Sequence, residues 1–87
     1  MIRDIYELRS EYYRKRPNGH YFDYETLKFF GESLSTMYLY KNTVQVKDIS
    51  GEIHTCYKIS KRGKDWRGNR RTTYAYFDVE TLDNVIL

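Results

Sequence analysis

The apolar residues change period part-way along the chain, and that change restricts the architectures open to it. Over residues 2 to 14, Ile2, Ile5, Leu8 and Tyr12 recur at spacings of three and four. Such spacing gathers them on one face of a helix and leaves Arg3, Glu7, Ser10 and Arg14 outward. From Tyr38 the repeat is two, with Val44 and Val46 on one face. A second run sets Ile53, Tyr57 and Ile59 against His54, Cys56 and Lys58, and a third, TTYAYF, puts Thr73, Ala75 and Phe77 together. One-faced strands after amphipathic helices must bury both surfaces against each other, which is the α+β solution.

Breakers and caps divide the chain further. Pro17, Asn18 and Gly19 end the first helix. Asp23 is placed to cap a second helix with Glu25 in its first turn and Leu27, Phe30, Leu34 and Met37 as its stripe. Ser50-Gly51 marks a turn between strands, and the Gly-rich basic segment KRGKDWRGNRR reads as the loop of the next hairpin. YFDYETL at 21–27 and YFDVETL at 76–82 differ at one position. We read each as an extended dipeptide, a capping Asp and a first helical turn, which makes Asp23 and Asp78 caps and adds a short C-terminal helix. The expected fold is one α+β domain over residues 1–87: a three-stranded antiparallel sheet, two N-terminal helices and a short C-terminal one.

An 87-residue chain has room for one small core. Ten tyrosines suit a thin core with wet edges, and equally a recognition surface. Cys56 is the lone cysteine, so no intramolecular disulfide is possible. No apolar run approaches the ~20 residues of a membrane span, and MIRDIYELRS has acids where a signal peptide would be apolar, so a cytoplasmic location without membrane attachment is expected.

Residues 58 to 71 are the most polarised stretch. Lys58, Lys61, Arg62, Lys64, Arg67, Arg70 and Arg71 face only Asp65, in a chain of formal net charge +3, so the remainder is net negative. Trp66 lies among these cations. An indole flanked by guanidinium groups can stack on a base or fill a protein pocket, while the cations meet phosphates or carboxylates. The candidate partner-binding residues are therefore Arg62, Lys64, Trp66, Arg67, Arg70 and Arg71. A second constellation follows from scarcity: His20, Asp23, His54 and Cys56 offer four donors of the kind that hold tetrahedral zinc, and a structural metal would suit so small a domain. In that arrangement Asp23 is a ligand rather than a cap. Neither a Gly-rich phosphate loop nor a nucleophile motif is present, and the chain does not read as an enzyme.

GHYFDYETLKFFG, residues 19–31, resembles a group of small proteins encoded by bacterial phages and mobile elements, in which Gly-His-aromatic-Phe-Asp leads into Thr-Leu or Thr-Met and then Phe-Phe-Gly. The later Ala75-Tyr76-Phe77-Asp78 is also similar. What the resemblance implies is a setting: small phage proteins without catalytic motifs are often inhibitors of host machinery, anti-CRISPR proteins against a type II effector nuclease among them. The expectation is a mobile-element protein that inhibits a host defence nuclease by blocking the loading of target DNA, with Trp66 as anchor. The alternatives are a direct DNA- or RNA-binding regulatory or architectural factor using the same residues, and a zinc-stabilised structural module.

Overall fold

The computed structural model describes residues 2–15, 29–31 and 34–87. In chain order these form helix α1 (Ile5–Arg14), a 3-10 turn (Leu34–Thr36) and strands β1 (Met37–Leu39), β2 (Val44–Lys47), β3 (Ile53–Lys64) and β4 (Arg70–Asp78). Residues 29–31 are helical. Most of the second helix expected from Asp23 lies outside the described residues, as do His20 and Asp23 themselves.

Helix α1 starts where Asp4 accepts the Glu7 N–H at 2.9 Å while the Glu7 carboxylate reaches back to the Arg3 N–H. The first satisfies a donor that a helix N-terminus leaves orphaned, and the second ties the residue before the cap to the first turn. Ile5, Leu8 and Tyr12 are its buried residues, as the spacing predicts.

All pairing in the sheet is antiparallel and runs through β3. β4 lies along one edge of it, from Cys56↔Asp78 to Lys64↔Arg70. β1 and β2 share the other edge, β1 opposite Ile59–Lys61 and β2 opposite Ile53–Cys56. The sheet is thus four-stranded, where the sequence suggested three, because the first run breaks between Leu39 and Val44. Leu34 and Met37, expected at the end of a helical stripe, are buried from the 3-10 turn and from β1 instead.

Register decides what each face does. Tyr57, Ile59, Ala75 and Phe77 share the face covered by α1 and residues 29–30. Phe77 is fully buried at its centre, stacked on Phe30 at 5.5 Å between ring centroids and met edge-on by Tyr12 at 6.4 Å. Aromatic pairs in such offset and edge-on arrangements add to the stabilisation that burial of their area supplies.

Two turns use one device. In Asp48-Ile49-Ser50-Gly51-Glu52 and in Asp65-Trp66-Arg67-Gly68-Asn69, the Asp N–H bonds to the carbonyl four residues on, and the Asp carbonyl accepts from the glycine. One oxygen of the Asp carboxylate then takes the N–H groups two and four residues on. Gly51 and Gly68 have φ of 91° and 84°, the left-handed position that closes a three-residue hairpin loop.

The C-terminus departs from the helix expected there. Asp78 does act as a cap, accepting the N–H groups of Glu80 and Thr81. The chain beyond it makes a single turn and no helix. Leu82 bonds back to the Asp78 carbonyl, takes φ of 60° and buries its side chain, and a left-handed residue cannot propagate a right-handed helix. The chain then reverses: Asn84 bridges to Phe77, Val85 bonds to the Tyr76 carbonyl, and the Ile86 carbonyl accepts the Ile49 N–H.

Truncation of the central ring should be severe. Phe77→Ala is expected to cost ~3–5 kcal/mol of unfolding free energy by urea titration, whereas Thr73→Ala, exposed on the same strand face, should stay within ~0.5 kcal/mol.

Candidate functional site

The basic segment is mostly strand. β3 continues in register to Lys64 and β4 begins at Arg70, so only residues 65–69 form the loop. Strand alternation therefore sorts the cations by face. Arg62, Lys64 and Arg70 lie on the face away from the core, Arg62 opposite Thr72 and Lys64 opposite Arg70. Arg71, opposite Gly63, lies on the other face with Lys61. Trp66 sits at the hairpin tip, 86% exposed, with the Arg67 guanidinium 4.5 Å from its ring centroid.

Asp65 is committed to the backbone of its own turn. Among the described residues, none of Arg62, Lys64, Arg67, Arg70 and Arg71 forms an ion pair. Five cations at one end of the molecule are thus left to solvent or to a ligand.

Between the hairpin and the body, the same face carries tyrosines. Tyr38 and Tyr74 flank Ser60 from the two neighbouring strands, and Tyr76 is paired with Lys58. Tyr40 joins the row through its N–H bond to the Lys58 carbonyl. The Lys58 ammonium lies 5.0 Å from the Tyr40 ring centroid and 4.6 Å from that of Tyr74, within cation–π range. Tyr38 meets Tyr40 edge to face at 5.2 Å. Tyr38 and Tyr74 remain 61% and 52% exposed. From Lys58 to Lys64 and from Arg70 to Tyr76 this face holds no carboxylate. The sequence expectation placed only the hairpin cations and Trp66 here; the even-numbered alternation of β3 and β4 is the signal that adds the tyrosines and Lys58.

The opposite end of the same face is closed. Cys56 is fully buried and Val85 nearly so. Burial, then the charge of Asp78, pushes the Cys56 thiol up to about 11. A thiol so far above neutrality stays protonated and is a poor nucleophile. Beside it His54 bridges two aspartates, Nδ1 to Asp78 Oδ2 at 2.9 Å and Nε2 to Asp48 Oδ2 at 2.7 Å. Each aspartate uses its other oxygen for its own turn, so one ring locks the β2–β3 turn to the turn after β4. Both ring nitrogens face carboxylate oxygens, an arrangement that the doubly protonated imidazolium satisfies. The hydrogen bond to Asp78, then that to Asp48, holds His54 above its ordinary 6.5 against the effect of partial burial. In return His54 draws Asp78 below the usual 3.8, and with Ser50 and Glu52 draws Asp48 far below it.

Of the four expected zinc ligands, His54 and Cys56 do share a face. Asp48, Glu52 and His54 bring one ligand atom each within 4.8 Å of one another. Coordination at Nε2 of His54 would replace its hydrogen bond to Asp48, with Asp48 as a fellow donor.

No protein-family model, curated protein or solved structure matches this chain. Among the described residues, no helix is long and apolar enough to cross a membrane.

The histidine cluster has a signed pH dependence. His54, with a raised value, stabilises the fold fully below 6.5, and that contribution disappears as pH climbs through its folded-state value. Asp48 and Asp78, with depressed values, contribute above 3.8 and lose it as pH falls through theirs. Melting temperature should thus peak between about pH 4 and 6.5. His54→Gln should flatten the profile on both sides; an unchanged profile would remove the cluster from the account.

Proposed function

We propose that this protein binds nucleic acid directly through the hairpin and the adjoining open sheet face. The observation that carries the reading is the coincidence, on the exposed sheet face from Lys58 to Lys64 and from Arg70 to Tyr76, of tyrosine rings with cations that form no ion pair among the described residues, and with no carboxylate on those stretches. Phosphates supply the negative charge that the guanidinium groups lack, and aromatic faces supply sequence-tolerant contact with bases. The similarity of residues 19–31 to small phage and mobile-element proteins gives this activity a setting, that of a regulatory or architectural factor of a mobile element.

Salt tests it. For an oligonucleotide, log Kd plotted against log salt should have a slope of several units, falling by roughly 0.7 to 0.9 for each phosphate that is no longer neutralised. Arg62→Gln and Arg70→Gln should each weaken binding and flatten that slope. Absence of measurable binding at low salt would reject the proposal.

A second reading rests on a different observation, the exposure of Trp66 at the tip. An indole so placed suits a hot spot for a protein, and the mobile-element setting makes a host defence nuclease, such as a type II CRISPR effector, the partner to try. There Trp66→Ala should cost ~2 kcal/mol or more of binding to the nuclease, with little salt dependence. Full affinity in that variant would dismiss this reading.

A further inference from the structure

We infer that the open face around Lys58 is a base-stacking platform that selects single-stranded nucleic acid over duplex, with Tyr38 and Tyr74 as its stacking rings. This deepens the nucleic-acid reading above and rests on it.

The face is built of cross-strand rows two residues apart along β3, or roughly 7 Å. Tyr40, Lys58 and Tyr76 form one row, and Tyr38, Ser60 and Tyr74 the next. Arg62 and then the Lys64–Arg70 pair follow toward the tip. Aromatic rows thus give way to cationic rows along a single direction. A strand laid along that direction can put bases on rings at one end and phosphates on guanidinium groups at the other.

Ser60 matters through its size. It separates Tyr38 from Tyr74 by two strand spacings, about 10 Å, with a short side chain as floor between them. Both rings therefore keep accessible flanks, and neither is needed by the core, which lies on the opposite face. Lys58, held between the Tyr40 and Tyr74 rings, puts positive charge beside the aromatic rows, where a backbone phosphate flanking a stacked base would lie. A duplex keeps its bases stacked on one another and offers such a face only its backbone, whereas an unpaired strand offers π-faces. The charge of the surface selects a polyanion, and its rings select one whose bases are free.

The test uses a fluorescein-labelled oligothymidylate of about a dozen nucleotides, within the site sizes known for single-strand binders, and a labelled duplex of equal length. An oligouridylate run in parallel distinguishes RNA from DNA as the source of the strand. Anisotropy titrations of the full chain should give tighter binding to the single strands. Tyr38→Ala and Tyr74→Ala should each weaken single-strand binding roughly 5- to 150-fold, the range of one base–aromatic stack, and leave duplex binding as it was. Tyr38→Phe and Tyr74→Phe, which keep the ring, should bind like the parent. Both positions are exposed, so unchanged melting temperatures will show that the alanine variants fold. Duplex bound as well as single strand, with the alanine variants unaffected, overturns the platform and leaves nucleic-acid binding standing. Failure of the parent protein to bind either probe overturns both.

Discussion

The burial of Phe77 against Phe30 and Tyr12 fixes which way the sheet faces, and the rest of the molecule follows from that orientation. Once α1 and the residues around Phe30 cover one side of β3 and β4, strand alternation sends every second side chain to the other. On that other side the sequence supplies Cys56 at one end, then Lys58 and Ser60, then Arg62 and Lys64. One face therefore carries a graded surface, closed at the Cys56 end, aromatic in the middle and cationic at the tip. No additional structure is needed to create it.

Polar groups hold the closed end in place. Asp48 and Asp78 are each bidirectional, one oxygen binding turn amides and the other binding His54. Turn geometry, imidazole protonation and the path of residues 84–86 are thereby one unit. Among the described residues, the basic end has no comparable internal neutralisation. Such an imbalance costs stability through self-repulsion, and a fold tolerates it most readily where the charges project along a hairpin away from the core. Here the β3–β4 hairpin does this, with residues 70–74 all exposed.

Much of this was legible from local pattern. The α1 stripe, the Thr73, Ala75 and Phe77 face and the capping role of Asp78 all follow from short-range spacing, and each is found in the structure. What escaped was nonlocal. Lys61–Lys64 and Arg70–Arg71 have no hydrophobic period, so only their mutual pairing makes them strand. The C-terminal helix was inferred from Asp-x-Glu-Thr-Leu, yet burial of Leu82 outweighs local helix preference and forces the chain to turn. His54 and Asp78 are 24 residues apart and meet only through the register of β3 with β4. The tyrosines were ambiguous for a chemical reason, since a ring with a polar tip satisfies a core edge and an open surface equally well.

The central claim is that ligand contacts run along the non-core face of β1, β3 and β4, and that they are not confined to the hairpin tip. Amide chemical-shift mapping during titration with a short single-stranded oligonucleotide examines this most directly. The account predicts perturbations at Tyr38, Lys58, Ser60, Tyr74 and Tyr76 that continue through Arg62 and Arg70, with α1 silent. Shifts restricted to residues 65–69, or spread over α1 and the core face, would contradict it.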